Sequence, residues 1–359
     1  MMNEAGGTVV AEYKRYILRK IIFIVVCATV AIVAFGISVG IGARQMEIGR
    51  VYELLFNHIM GVTYPVNSTD WVEDAVIWDY RLPRSLFALL AGASLAVAGV
   101  AMQSVMNNPL ADAYTTGVSS GACFGVAVAI VLGFTLIQNE YSSIAITINA
   151  FLFAMIPVAA ILAISPRTKS PATLILAGIA IGYIFNAMST LLLTSTEEET
   201  LARIYVWQIG SIDDIIWSNI PIVAVASIIG LFVVGMLSRK LNVLSLGETS
   251  AKAMGVNVQT MRYILLLLMA FMVASVISYA GIIGFVGLVS PHIVRILIDS
   301  DNRFVVPASA MLGASLLLVC DIVCRLISPN GSIPVGVVIS FVGAPIFLYL
   351  LVRKNANIW

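Results

Sequence analysis

Long apolar runs dominate this chain and restrict it to a fold built inside a lipid bilayer. A helix that crosses the hydrocarbon core needs about 20 mostly apolar residues. Ten stretches reach or approach that length: 21–41, 86–105, 117–137, 144–164, 172–193, 220–237, 263–283, 285–298, 305–323 and 335–352. Because only 11% of the 359 residues are charged, against about 25% in soluble domains, we predict an all-α polytopic membrane protein with ten transmembrane helices.

The basic residues set the expected orientation. The first apolar run has 21 residues, whereas the apolar region of a signal peptide has about 7–15, so we expect it to remain as a span. With the N-terminus inside, the 20 Lys and Arg divide 14 to 6 between inner and outer segments, in agreement with the positive-inside rule. We therefore predict one transmembrane domain over 1–359 in the cell membrane, with both termini cytoplasmic. Its non-spanning parts are a cytoplasmic tail at 1–20, an external loop at 42–80 and a cytoplasmic region at 245–262.

Short helices are expected on the outer face, in 42–80 and 194–219. The sequence VYELLFNHIMGV in the first segment suits an interfacial helix, and YVWQIGSIDDIIW in the second is too polar to span and too apolar for a free loop. Amphipathic segments of this kind lie on or dip into a membrane surface. The weakest of the ten candidate spans is 285–298, and the later loops would invert if it did not cross.

The sequence of the predicted cytoplasmic region 245–262 indicates an ordered connector. Its sequence SLGETSAKAMGVNVQTMR contains no Pro, and Ala251 and Met254 have helical spacing. Gly247 and Gly255 bracket one short helix, and Glu248 suits the positive end of its dipole. Two interpretations remain open from these residues, a solvated loop and a docking site for a partner.

Two groups of charged residues lie near the predicted outer side. Arg81 and Arg84 flank Pro83 at the entry to the second span, three residues apart on one helix face. Headgroup snorkelling or pairing with Asp79, and docking of acidic side chains from an external protein, are equally good explanations. Asp321 and Arg325 are four apart, which favours a local ion pair, although Arg325 could also join the other two arginines.

Other polar residues in the spans favour structural roles. Gln103 and Asn107, four apart at the end of the second span, favour interhelical hydrogen bonding over ligand contact. Cys320 and Cys324 lie one turn apart without the His or acidic cluster that a zinc site needs. We therefore predict no metal site.

Missing motifs exclude several classes of function. The chain has no GxxxxGK[ST], no HExxH and no GxSxG, so we expect neither an ATP site nor catalytic residues. A formal net charge of +1 argues against nucleic acid as a partner. An ion-coupled carrier would carry acids in mid-span, and Asp321 is the only candidate, close to a span end.

Several blocks together resemble one family. RLPR followed by GASLAVAGVAMQSVMNNPLAD and GVSSGACFG, then LGETSAKAMGV, SYAGIIGFVGLVSPHIVR, LGASLLLVCDIVCRL and PVGVVISFVGAPIFLYLL, are similar in content and order to the FecCD-type permease subunits of ABC importers. These type II importers carry iron-siderophores, haem or cobalamin. The similarity covers roughly residues 80–352 and does not distinguish among those substrates.

The resemblance implies ten helices per subunit in a homodimer, with two cytoplasmic ATPase subunits that bind ATP and Mg, and an external binding protein. It implies that Arg81, Arg84 and Arg325 pair with glutamates of the binding protein. A cytoplasmic gate is implied near Ser170 and Thr173, where Pro171 and Ala172 depart from the family's small hydroxyl residues. For coupling to the ATPase it implies Gly247, Glu248, Ser250, Ala251, Met254 and Gly255.

The predicted function is therefore uptake of a bulky metal chelate through the membrane, with no chemistry on the cargo. Gln103 and Asn107 join the gate residues as pathway candidates. The alternatives are an ion-coupled secondary transporter, which would work without an ATPase, and a membrane-embedded enzyme, for which the sequence offers no catalytic pair.

Overall fold

The structure is a computed structural model that describes residues 2–136, 143–168, 170–328 and 333–353. These residues are mainly helical and include no β-strand. Lys169 and Lys354, two of the basic residues used for the orientation, lie outside them. The α-helices in chain order are α1 Met2–Gly40, α2 Ile48–Ile59, α3 Thr69–Ala75, α4 Leu82–Met106, α5 Val118–Val131, α6 Ser143–Ile164, α7 Pro171–Leu193, α8 Glu198–Ile209, α9 Ile220–Leu244, α10 Glu248–Ala253, α11 Val258–Ala280, α12 Val286–Ile298, α13 Asn302–Ile327 and α14 Val335–Arg353.

All ten candidate spans fall on helices. Within the described ranges, seven helical segments are long and apolar enough to cross a membrane, and three shorter apolar helices lie at Val118–Val131, Val286–Ile298 and Val335–Leu350. The all-α membrane class is confirmed, while ten complete crossings remain a prediction. The third candidate, 117–137, is shorter than expected, because its helix ends at Val131 and its last residue lies outside the described ranges.

Helix α4 is the centre of the bundle. It packs against α9, α11, α12 and α13, and the segment that contains it is 78% buried over its most apolar stretch. The corresponding values are 22% for α1 and 28% for α7, which leave much of their apolar surface uncovered. A helix that is apolar on every side is stable both in the protein interior and against lipid, so the packing rather than the composition selects α4 for the interior.

Glycines allow α4 to approach its neighbours directly. A Cβ added at Gly92 would lie 2.3 Å from the carbonyl oxygen of Gly313 on α13, and one at Gly99 would lie 1.8 Å from that of Gly287 on α12. Small residues at helix crossings permit such contact between backbones. The two crossings lie seven residues apart on one face of α4.

Both predicted outer segments contain short helices. In the first, α2 buries Val51 and Leu54 and leaves Ile48 and Phe56 exposed. After α3, a π-helical turn, Val76–Arg81, leads directly into α4. In the second, α8 is followed by a non-helical stretch over 210–216, here called the 210–216 segment. This segment brings Asp213 to the first turn of α4.

Candidate functional site

The start of α4 and the end of α13, which lie on the predicted outer side, share a buried ion-pair network. Asp321 is fully buried and accepts a 2.8 Å hydrogen bond from Nε of Arg84 on its Oδ1. Its Oδ2 accepts from the guanidinium of Arg325, one turn further along α13. The predicted local pair between Asp321 and Arg325 is therefore confirmed, and Arg84 extends it to a second helix. Removing one partner would leave an uncompensated buried charge, which is strongly unfavourable.

The other side of Arg84 faces the 210–216 segment. Its Nη1 forms an ion pair with Asp213, and Oδ2 of Asp213 accepts a 2.7 Å hydrogen bond from the Ser211 hydroxyl. The side chain of Arg84 is 13% exposed and that of Asp213 is 26% exposed, so this pair is the accessible edge of the network. Arg84 thus pairs with Asp321 and Asp213 rather than with Asp79.

The other two arginines stabilise the end of α1. The last four carbonyl groups of a helix lack partners within it and carry partial negative charge. Nη1 of Arg325 donates to the carbonyl oxygens of Ser38 at 2.7 Å and Ile41 at 2.8 Å, and Nη1 of Arg81 donates to that of Gly40 at 2.8 Å. These contacts explain why cationic groups persist at this depth in an apolar bundle.

Arg81 and Arg325 do not form an exposed face with Arg84 in this conformation. Arg81 is 5% exposed and Arg325 is 7% exposed, and both are held by contacts within the chain. Arg84 pairs with the partly exposed carboxylate of Asp213, and Arg81 donates to the backbone carbonyl of exposed Arg44. Pairing of these arginines with another protein's glutamates stays a prediction, and sequence reasoning missed Asp213. The acidic pair in GSIDDIIW, within an otherwise apolar stretch, was the available signal.

A cavity adjoins the 210–216 segment. Its volume is about 690 Å³, and its lining is mostly apolar. The amide of Ser211 donates to the carbonyl of Ala280 at 2.8 Å, and the amide of Gly336 donates to the carbonyl of Gly210 at 3.0 Å. The segment is therefore tied by backbone hydrogen bonds to the ends of two helices that surround the cavity. Lining residues include Gln208, Ile209, Ile282, Gly284, Gly336 and Phe341.

At the predicted cytoplasmic side, 245–262 contains the expected short helix. Helix α10 lies between Gly247 (φ +95°) and Gly255 (φ +78°), two backbone conformations that other residues rarely adopt. Glu248 at its start accepts from Lys252 at 2.8 Å and lies 3.6 Å from Arg262. The hydrogen bond from Lys252 is the main reason that the pKa of Glu248 is below its usual value.

Exposure divides the predicted partner contacts of this segment into two groups. Ser250 and Met254 are exposed, whereas Ala251 is fully buried against the bundle. Ala251 therefore packs against the bundle, and its part in coupling to the ATPase stays a prediction. Leu246 is 62% exposed and was missed, although an apolar residue in a polar connector was a signal. The exposed apolar surface available to a partner consists of Leu246 and Met254.

The pathway candidates do not form one site. Gln103 is fully buried, donates to the carbonyl of Leu288 at 3.5 Å and accepts from Nε of Arg295 at 3.4 Å. It therefore joins α4 to α12, as the structural interpretation predicted, and its role as a pathway residue stays a prediction. Asn107 is exposed and has left-handed backbone angles (φ 46°, ψ 44°) where α4 ends, so it ends the helix rather than sharing a face with Gln103.

The gate candidates lie at the start of α7. Ser170 precedes the helix, Thr173 lies in its first turn, and both are exposed. Beyond them, α7 carries a row of exposed apolar side chains that includes Leu176, Tyr183 and Leu191. Position and exposure allow the predicted gate role but do not test it.

The described residues show no group of three or more His, Cys, Asp or Glu that could hold a metal ion. The four cysteines are free and buried.

A family model described as the FecCD transport family matches residues 30–353. Among curated relatives, a provisionally named ABC transporter permease protein of Methanocaldococcus jannaschii is 38% identical over 97% of this chain and 99% of its own length. The vitamin B12 import system permease protein BtuC of Salmonella typhi is 36% identical over 79% of this chain and 87% of its own.

A solved structure has the same fold. It is an inward-facing transporter provisionally described as of the metal-chelate type, with a TM-score of 0.79 and 31% identity over 92% of this chain and 99% of that one. The range that the family model matches, 30–353, includes the ion-pair network, the cavity and α10.

Proposed function

The chain belongs to the FecCD transport family as the membrane permease of an ABC importer, and on that premise we propose that its cargo is a bulky metal chelate. An iron-siderophore, haem or cobalamin would be delivered by an external binding protein. The observation that carries the proposal is the similarity, at 31% identity and a TM-score of 0.79, to a transporter described as of the metal-chelate type. The similarity to a vitamin B12 permease supports the same class of cargo.

In the proposed assembly two copies of this chain pack together through part of the exposed apolar surface, which α7 and α14 share with α1 and α9. Tyr183 on α7 is 70% exposed, and Phe341 on α14 is 78% exposed. Phe341 also lines the cavity at the 210–216 segment. A second copy packed on α7 and α14 would enclose a largely apolar path between the subunits. Such a wall binds a large chelate weakly enough to release it.

The energy source is proposed to be a separate ATPase subunit, with ATP and Mg bound there, that docks on α10. Exposed Leu246 and Met254 offer apolar contact, while the buried Ala251 fixes α10 to the bundle. Closure of two ATPase subunits would push on this helix and change the relative tilt of the helices that enclose the path. If the ATPase docks on α10, then α10 faces the cytoplasm, both termini are cytoplasmic and the 42–80 loop is external.

Reconstitution tests this function. We expect liposomes that contain the chain with its ATPase subunits and binding protein to accumulate cyanocobalamin, a ferric siderophore or haem when ATP is supplied. Uptake should persist when ion gradients are collapsed with ionophores, and it should stop when the ATP-binding lysine of the ATPase is replaced. Uptake by the chain alone, driven by an ion gradient, would reject the proposal in favour of a secondary transporter.

A further inference from the structure

A second cavity lies between the end of α1, the start of α2 and the last turn of α13, and is here called the α1–α2 cavity. Its volume is about 490 Å³, within the range of sites for small molecules. The lining is mostly apolar, comes from these three helices and the turn after α1, and includes Ile37, Gly40, Ile48, Tyr52, Arg325 and Leu326. Arg325 is the lining residue that this cavity shares with the ion-pair network.

The rim of the α1–α2 cavity is apolar and uncovered. Ile37, Ile48 and Leu326 line it and are exposed, one on each of the three helices. The apolar surface continues along α1, whose span is mostly unburied. In a chain that spans a bilayer, uncovered apolar surface on a spanning helix faces the acyl chains of lipids. The cavity is therefore accessible from the membrane.

Glycines on α1 create the space. Gly40, the last residue of α1, lines the cavity, and a Cβ added there would meet no described atom within 4 Å. One turn earlier, a Cβ at Gly36 would lie 2.7 Å from the hydroxyl oxygen of Tyr52. Glycine at 36 thus lets α2 lie against α1, and glycine at 40 leaves the room beside this contact open.

The wall of the cavity carries one buried cation. The Nη groups of Arg325 are used by contacts to the end of α1 and to Asp321. Its Nε is buried and has no hydrogen-bond partner among the described residues, which is unfavourable for an N–H group. The charged cluster around it contains one more cation than anions: Arg81, Arg84, Arg325, Asp213 and Asp321. An anionic oxygen would satisfy both features, and phosphate is a preferred partner of arginine.

We propose that the α1–α2 cavity binds one anionic phospholipid, with its phosphate on the Arg325 side and an acyl chain along Ile37 and the exposed side of α1. In the predicted orientation this lipid belongs to the outer leaflet. It joins α2, and with it the 42–80 loop, to the spanning helices. The site is a property of this chain whatever cargo it carries, so it stands or falls independently of the proposed function.

The matched pair Gly40→Leu and Gly49→Leu tests the site. Both positions lie on helices and offer open space to a Cβ in the described chain, but only Gly40 lines the cavity. Native mass spectrometry of the complex with its ATPase subunits, extracted from membranes rich in phosphatidylglycerol, would count the retained lipids. We expect one phosphatidylglycerol per copy in the wild type and in Gly49→Leu, and its loss in Gly40→Leu. Equal retention in all three proteins would overturn the site.

Competition on the wild-type complex keeps the site testable if Gly40→Leu does not fold. With phosphatidylglycerol and phosphatidylcholine supplied in equal amounts, the single excess positive charge should favour phosphatidylglycerol roughly fivefold. Inorganic phosphate should not displace the bound lipid, because it has no acyl chain to occupy the apolar part of the cavity. Equal occupancy by the two lipids, or displacement by inorganic phosphate, would refute an anionic phospholipid as the ligand.

Discussion

Replacement of Gly99 by Ala should destabilise the bundle more than any other single methyl addition on α4. The new Cβ would lie 1.8 Å from the carbonyl oxygen of Gly287 and 2.6 Å from its carbonyl carbon. Ordinary contact begins at about 3.4 Å, so α4 and α12 would have to separate by about 1.6 Å. Both atoms belong to the backbone of a helix, so rotation of a side chain cannot relieve the clash. Overpacking of a dense interior costs about 1–3 kcal/mol, and we expect the upper end of that range.

The buried cysteines provide the assay. All four thiols are covered in the folded chain, so a thiol-reactive fluorophore reports unfolding as the temperature of purified protein rises in detergent. Gly99→Ala should lower the midpoint by several degrees. Gly235→Ala is the matched control, because a Cβ at Gly235 on α9 meets nothing within 4 Å. In a helix interior with room for the added methyl group, Ala is favoured over Gly by up to about 1 kcal/mol, so the control midpoint should stay unchanged or rise.

A Gly99→Ala midpoint equal to that of the wild type would refute this reasoning. It would mean that α4 and α12 do not meet at their backbones. A loss of stability in both variants would instead show that the assay responds to any change of glycine.

Three further predictions concern charged and exposed residues. Asp321→Asn should lower the unfolding free energy by about 3–5 kcal/mol, because it removes the carboxylate that pairs with the buried guanidinium of Arg325 and one of the two that pair with Arg84. Asp70→Asn, at an exposed pair with Arg50, should change it by at most about 1 kcal/mol. Equal denaturation midpoints for the two variants would contradict the network. Met254→Asp should abolish ATPase stimulation without changing the unfolding midpoint, while Ala251→Phe should lower that midpoint; the reverse pattern would exchange their roles. Burial raises the pKa of Asp301, but hydrogen bonds from Arg303 and Asn242 outweigh it and lower the pKa to about 2. The resulting stabilisation is present above about pH 4, near the unfolded pKa, and is lost as the pH falls toward 2. Unfolding midpoints measured between pH 2 and 5 should lose this component in Asp301→Asn, and an unchanged profile would exclude Asp301 as its source.

Local sequence was sufficient wherever one stretch sets its own conformation. The apolar runs identified the membrane class because a bilayer accepts only segments whose backbone groups are satisfied internally. The ends of α10 were predictable because glycine readily adopts positive φ values, and Gly247 and Gly255 have such values at the two ends of the helix. The sequence motifs shared with the family could also be recognised, since they depend on residue order rather than on contacts in the fold.

Tertiary structure decided which faces of these helices meet. A span that is apolar on all sides contains no signal for its orientation around its axis, so the contact of Gly99 with Gly287 could not be predicted from sequence. In the 245–262 region, the sequence also did not indicate that Met254 is exposed while Ala251 is buried. Arg84 and Asp321 are 237 residues apart in sequence, and Asp213 comes from a third part of the chain. The sequence by itself determined that charged residues occur near the outer side. Only the packing of α4 against α13 and the 210–216 segment decided that these charges pair with one another, because pairing is the way in which a bundle surrounded by lipid can retain them.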